Sequence, residues 1–306
     1  MKALVIGLGT QGRKRRAIAG ADVFATVDPV NSEADYRNIR QAPLSAFDSA
    51  FVCTPDDVKF ELLEYLLSNG KHVLVEKPLI FKDSDRIRYL ATLAREKKAA
   101  CYTAYNHRFE PHIARLKKLI TEGVLGQIYR VSFFYGNGTA RDVRNSVWRD
   151  KDMGVISDLG SHMLDMALFF FGKQQPFRLW STNCFENKAP DQVIFGSAGD
   201  ALLMIIEGTL LSWRNSFKLD VLAERGSAHI DGLCKWGPSR LTVRTRILPS
   251  GKPTEEQFVL EQPDPTWSIE YEHFKKMCEE SVCYLDRDIL INDALNELFS
   301  TSKESQ

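Results

Sequence analysis

The sequence holds no C-x-x-C pair; its 6 cysteines (Cys53, Cys101, Cys184, Cys234, Cys278, Cys283) are scattered through 306 residues. That spacing builds neither a zinc site nor a disulfide framework, and it reads as reduced thiols in a cytoplasmic protein. Neither charge is in excess. Lys and Arg number 40 and Asp and Glu 40, so nothing in the balance attracts nucleic acid or an anionic membrane, and a small-molecule partner is expected. No apolar run approaches the ~20 residues that span a bilayer. The opening run, Ala3 to Ile6, meets glycine too soon to be a signal-peptide core. Repeats are absent, and the one biased segment is the polar "STSKESQ". What remains, 44% hydrophobic and 26% charged, is an ordinary globular composition with length for two domains.

A local absence is sharper. The stretch "GVISDLGSHMLDMALFFFG" (154–172) has no Lys, Arg or Glu, yet Asp158, Ser161, His162 and Asp165 interrupt it. At about 100° per residue these four fall on one narrow helical stripe. An ordinary wet face recruits Lys and Glu, so this choice of residues points to an enclosed polar cavity. Asp158 and His162, at i and i+4, can meet or converge on one ligand, and a His–Asp pair suits proton transfer. A plain exposed face and a structural His–Asp pair are the other readings. No third ligand accompanies the pair, so no metal is expected.

Ahead of this stretch the chain alternates strand and helix patterns: "KALVIG", "QGRKRRAIAG", "DVFATVD", "SAFVCTP", "DVKFELLEYLLSNG", "HVLVEKP", "SDRIRYLATLAREKKA", "ACYTAYN". Alternation of this kind gives a parallel sheet with helices on both faces. Beyond about residue 123 come "IYRVSFFYG", "ALLMIIEGTLLSW", "FKLDVLAE" and "LTVRTRIL". In the last, Leu241, Val243 and Ile247 alternate with Thr242, Arg244 and Arg246, as in an antiparallel sheet packed on one side. The expected fold is α/β: a doubly wound Rossmann domain over 1–120, then an α+β domain over 121–306. The second has a large, mostly antiparallel open-faced sheet, and its C-terminal helix is able to pack back on the first.

Within "VIGLGTQG", Gly7, Gly9 and Gly12 have G-x-G-x-x-G spacing after a strand and at the start of a helix. The glycines allow a tight turn, close approach of a pyrophosphate and close helix–strand packing; Thr10 and Gln11 complete the loop. Asp28, ending the second strand, can accept the adenosine ribose hydroxyls and repel a 2′-phosphate, favouring NAD over NADP. Arg13, Lys14, Arg15 and Arg16 read as a solvated helix face from which one arginine can reach a 2′-phosphate, so NADP stays open. Lys77, at the carboxyl end of a strand and before Pro78, is placed as a proton carrier or a charge that orients a hydroxyl, or as a plain surface lysine.

"GLGTQG", "VEKPL" and "GVISDLGSHMLD", in that order, resemble the glucose–fructose oxidoreductase/inositol dehydrogenase (Gfo/Idh/MocA) family. "CTPDD", "YNHRFEP" and "SVWRDKDMG" extend the resemblance. It implies catalytic roles for Lys77, Asp158 and His162, a nicotinamide side lined by Thr54, Pro55 and Glu76, and substrate contacts from Asn106 and His107. It also implies an oligomer, dimer or tetramer, built through the second domain's sheet. The segment "PVNSEADYRNIRQAPLSAFD" is short for that family, with room for one abbreviated element.

The function expected is NAD(P)-dependent hydride transfer to or from a secondary alcohol of a sugar, cyclitol or nucleotide sugar. Arg141, Trp148 and Arg149 precede the stripe and can meet an anionic or nucleotide-linked substrate; Asp165 completes the substrate side. An NAD-assisted lyase, epimerase or glycosidase and a non-catalytic NAD or sugar sensor are the alternatives.

Overall fold

The computed structural model describes residues 1–146, 149–172, 176–199 and 202–304. Of the residues quoted above, Val147, Trp148, Ala201, Ser305 and Gln306 lie outside these. The chain forms two compact units. Unit 1 is Met1–Asn106 with Pro265–Asp293, and unit 2 is His107–Asp264 with Ala294–Gln306. The division after Asn106 falls earlier than the expected one at 120, and unit 1 is discontinuous.

Unit 1 holds a parallel sheet of β1 (Ala3–Ile6), β2 (Val23–Val27), β3 (Ser49–Val52), β4 (His72–Glu76) and β5 (Cys101–Ala104), in the order β2-β1-β3-β4-β5. β1 and β3 are buried along their whole length, as continuous apolar strands covered on both faces must be. The crossovers are helices α1 (Thr10–Ala19), α2 (Lys59–Ser68) and α3 (Asp85–Glu96). Between β2 and β3, where one abbreviated element was expected, the chain makes two 3₁₀ turns, Ile39–Gln41 and Leu44–Ala46. Asn38 caps the first through a capping box with Gln41.

The chain comes back to unit 1 as α7 (Thr266–Glu280), which packs with α1. Phe274 is fully buried and meets Phe51 of β3 edge-on at 6.0 Å, while Tyr271 meets the same ring at 5.8 Å and donates to Asp22. This return buries Arg15, which corrects its assignment to a solvated face: only 3% of it is exposed. Its guanidinium pairs with Glu76 of β4 and Glu270 of α7, each at 2.7 Å, and lies over the Trp267 ring at 4.3 Å. Tyr102 of β5 donates to Glu270 at 3.2 Å. One buried cation thus faces two carboxylates. Burial, opposed by Arg15 and reinforced by Glu76, pushes the Glu270 carboxyl up to about 7.

Unit 2 begins with α4 (Pro111–Thr121), capped by Glu110, whose carboxylate accepts from the His112 and Ile113 N–H groups. Its sheet is β6 (Ile128–Gly136), β7 (Arg178–Asn183), β8 (Gln192–Ala198), β9 (Leu203–Thr209), β10 (Ser216–Ala223), β11 (Gly226–Asp231), β12 (Ser239–Ile247) and β13 (Gly251–Leu260). The order is β13-β12-β11-β10-β6-β9-β8-β7, antiparallel except for the parallel pair β6–β9. Val131, Phe133, Phe217, Leu219, Val221, Ile230 and Leu241 make its buried face. α4 and α6 (Ser161–Phe171) pack together, and α4 lies against β11 and β12. In β12 the alternation fades. Thr242, opposite His229 in the register, is buried, and Ile247 is exposed in the hairpin to β13 because it runs beyond the end of β11. α5 (Ala140–Arg144) and α8 (Leu285–Glu304) complete the helices among the described residues.

The Arg15 cluster carries a pH signature. Glu270 is raised above its ordinary 4.5, so its contribution to stability is complete below that value and fades as pH rises through about 7. Urea midpoints of the wild-type protein should fall from about pH 5 to about pH 8 relative to those of Glu270→Gln, which keeps the shape and one acceptor oxygen without the titrating charge. Parallel curves for the two proteins over that range would remove Glu270 from this role.

Candidate active site

In unit 1 the dinucleotide loop has the geometry its glycines imply. Gly7 has φ +90°, and a Cβ there would lie 2.5 Å from the Cys53 carbonyl oxygen. A Cβ on Gly12 would lie 1.7 Å from the Gly7 carbonyl oxygen. No other side chain is tolerated at either position. Gly9, in contrast, has nothing within 4 Å of its missing side chain. It precedes α1, whose first turn, with Thr10 and Gln11 exposed, is capped by no side chain. Uncapped N–H groups beside an open glycine are what an approaching pyrophosphate needs.

Asp28 follows β2 and accepts backbone N–H groups from Leu8 (2.8 Å), Val30 (2.9 Å) and Asn31 (2.8 Å). Burial opposes its charge, but these three donors outweigh it and hold the carboxyl below the ordinary range. The carboxylate therefore does two things: it ties the glycine loop to β2, and it keeps a negative charge beside that loop. Thr54 and Pro55 follow β3, with Pro55 exposed and the Thr54 hydroxyl buried without a hydrogen-bond partner among the described residues. An open glycine cradle, an uncapped helix end and an orphaned hydroxyl all fit a bound dinucleotide.

Glu76, expected to line the nicotinamide side, is instead turned inward onto Arg15. Lys77 follows it, half-buried. The backbone on either side of Lys77 is pinned by a residue the sequence reading passed over. Lys59, 2% exposed, donates to the Glu76 carbonyl (2.7 Å) and the Pro78 carbonyl (2.8 Å) and pairs with Asp56 at 2.6 Å. All three ammonium hydrogens have partners, so the turn carrying Lys77 is rigidly held. Asn106 closes unit 1, buried and donating to Thr266 at 2.8 Å.

In unit 2 the polar stripe is not one α-helical face. Ile156–Gly160 forms a π-helical turn, and α6 starts only at Ser161. The wider turn changes the angular phase between Asp158 and everything after it. Asp158 is partly exposed, with its carboxylate 3.7 Å from Arg149. Ser161 is buried, its hydroxyl bonded to the Asp158 carbonyl. His162 is 7% exposed and lies against His107, ring centres 4.0 Å apart and planes tilted by 51°. Tyr135 of β6 lies 5.5 Å from His107 and 6.1 Å from His162. Burial and then the Asp158 charge raise the Tyr135 phenol, which stays protonated.

Asp165 departs from the expectation of a substrate contact. It is 1% exposed and forms a bidentate pair with Arg108, Nε to Oδ2 at 2.7 Å and Nη2 to Oδ1. This pair ties the turn carrying His107 to the helix carrying His162. Arg141 of α5 is exposed. Sequence reasoning missed Arg108, Tyr135 and Lys235; Lys235 reaches His107 at 2.9 Å across 128 positions, a separation at which no local pattern gives a signal.

Fold and site together define a dinucleotide-binding Rossmann protein with a second, sheet-based unit that holds proton-handling side chains. Two family models bear this out: residues 1–105 match "Oxidoreductase family, NAD-binding Rossmann fold" and residues 113–229 match "GFO/IDH/MocA C-terminal domain". The chain belongs to the GFO/IDH/MocA family. It is 29% identical over 160 residues to inositol 2-dehydrogenase of Rhizobium meliloti (strain 1021), a match covering 52% of this chain and 44% of that protein. The matched stretch thus spans less than half of that relative's length. Among solved structures, levoglucosan dehydrogenase in complex with NADH superimposes with a TM-score of 0.84 at 17% identity, covering 98% of this chain and 97% of the other. An inositol dehydrogenase homologue from Azotobacter vinelandii, with NADH and myo-inositol, gives 0.81 at 17% identity, covering 99% and 95%. At such identities the likeness speaks for the fold.

The buried Arg108–Asp165 pair gives a direct test. Arg108→Ala leaves a carboxylate uncompensated in the interior and should cost about 3–5 kcal/mol. Equilibrium urea unfolding, followed by a probe in unit 2, measures it. A loss below about 1 kcal/mol would show that the pair does not anchor the site.

Proposed function

We propose that the protein is an NAD-dependent oxidoreductase that moves a hydride between nicotinamide and a secondary alcohol of a sugar, cyclitol or nucleotide sugar. One observation carries this reading: a single chain combines a dinucleotide cradle with a separate, largely buried set of proton-handling groups, His162, His107, Tyr135 and Asp158. A dinucleotide sensor has no use for the second set.

In this reading Gly7, Gly9, Thr10, Gln11 and Gly12 hold the pyrophosphate, Asp28 the adenosine ribose, and Thr54 and Pro55 the nicotinamide side. Ionised Asp28 favours NAD, because a 2′-phosphate would meet its charge. When bound, NAD supplies the acceptor for the carbinol hydride. The protein's own part is the proton: His162 takes it from the hydroxyl as the carbonyl forms, and Asp158 orients the alcohol. Lys77, on its clamped turn, is the other proton carrier or a charge that stabilises the alkoxide. Asn106, His107 and Arg149 contact the remaining substrate hydroxyls.

The family resemblance, together with Trp180, Leu203 and Leu222 exposed on the outer face of the unit 2 sheet, supports a homodimer or homotetramer formed through that face. All 6 cysteines are free thiols, which supports a reducing, cytoplasmic setting. Among the described residues no helix is long and apolar enough to cross a membrane.

Thermal denaturation with NAD and with NADP, each crossed with sugars, cyclitols and nucleotide sugars, tests cofactor and substrate class together. NAD should raise the melting temperature more than NADP, and the substrate should add to the rise. His162→Ala should lower turnover by roughly 10²-fold or more with NAD binding intact. Absence of a shift with either dinucleotide would overturn the proposal. Product formation without net NADH would favour a transient-oxidation lyase or epimerase.

A further inference from the structure

The turn Cys234–Trp236, between β11 and β12, brings a lysine against His107 of the two touching imidazoles. Lys235 Nζ lies 2.9 Å from His107 Nε2 and 3.3 Å from the Tyr135 hydroxyl. It also lies over the Trp236 ring at 4.5 Å and the Tyr135 ring at 5.7 Å. Two aromatic faces and a hydroxyl acceptor all favour the ammonium form. An ammonium only donates, so His107 Nε2 must accept, which puts the His107 proton on Nδ1 and leaves that ring neutral. A protonated His107 would present a second cation to Lys235 at hydrogen-bond distance. Two rings 4.0 Å apart do not both carry charge readily.

Among the described residues, the charged or titratable groups beside the pair include Tyr135 from β6, Asp158 with Arg149 on the π-helical side, and Arg108 paired with Asp165 between the two segments. The Lys235 ammonium stands on the His107 side, whereas Asp158, whose charge raises the Tyr135 phenol, belongs to the segment that leads into His162. We propose that Lys235 is a positioning residue that locks His107 as the neutral Nδ1–H imidazole, so that the proton taken by the two touching rings settles on His162. This rests on the reading of His162 as the general base. It adds the reason why one of two touching histidines accepts the proton: the other is held by an ammonium group.

The test is ¹⁵N NMR of the imidazoles in the full-length wild-type protein and in Lys235→Met and Lys235→Arg, with His107→Gln to assign the signal among the 6 histidines. In the wild type, His107 should remain the neutral Nδ1–H form down to about pH 5.5, a full unit below the ordinary midpoint of ~6.5. In Lys235→Met it should titrate near ~6.5, and Lys235→Arg should restore the wild-type behaviour. The acid limb of kcat/KM should move to higher pH by about one unit in Lys235→Met and stay in place in Lys235→Arg. A wild-type His107 protonated on Nε2, or titrating alike with and without Lys235, overturns the proposal. If Lys235→Met does not fold, the wild-type tautomer and the arginine variant decide it. Loss of the dehydrogenase reading is seen separately, as a wild-type protein that neither binds dinucleotide nor turns over, whatever the NMR shows.

Discussion

A single buried guanidinium organises the cofactor unit. Arg15 projects from the glycine-loop helix, meets Glu76 at the end of β4 and Glu270 on the returning α7, and is covered by Trp267. Each partner belongs to a different part of the chain, so the cation fixes the helix that faces the phosphates relative to the strand end that carries Lys77. Taking such a charge out of water is costly unless carboxylates and hydrogen bonds compensate it. Burial first, and then the neighbouring Glu76 charge, make Glu270 hold its proton more tightly. Lys59 does the complementary work from the other side of the turn, saturating the Glu76 and Pro78 carbonyls.

The second unit follows the same logic with different residues. Arg108 and Asp165 neutralise each other in the interior, and the groups beside them are those to which the proposed function assigns the proton. His107 directly precedes Arg108 in the chain, and His162 lies one helical turn before Asp165. The ion pair thus sets the spacing of the two rings. A base can be placed to a fraction of an ångström only if its neighbours are locked; here the lock is a fully buried bidentate pair.

What could be read from the sequence was what is local. The G-x-G-x-x-G loop, Asp28 at a strand end and the short β2–β3 connection all depend on neighbours a few residues away, and the structure has the loop geometry they imply. The polar stripe was only half legible. A constant 100° per residue misses a π-helical turn, and Asp158 lies within that turn while His162 follows it. Arg15 was illegible for another reason: in a run of four basic residues nothing marks the one that is buried, because its partners lie 61 and 255 positions on. Asp165 looked like a ligand for want of its partner, Arg108, which hid in "NHRF" as one more surface arginine. Lys235 came from a turn between two strands, and only the sheet order brings it to the histidines.

Unit 1 needs residues from both ends of a long detour, and this has a consequence for how the protein is made. Its five strands are complete once Ala104 has been synthesised, but Phe51 and Arg15 have no cover until α7 follows. At ~5–20 residues per second the ribosome takes on the order of ten seconds or more to make the intervening segment. During that time the nascent sheet exposes an aromatic ring and an Arg15–Glu76 pair that lacks Glu270 and the Trp267 cover. The dinucleotide unit is therefore begun before unit 2 and completed only after most of unit 2 has been made. A polypeptide interrupted anywhere in unit 2 strands it half-built, with the face that α7 would cover open to other chains.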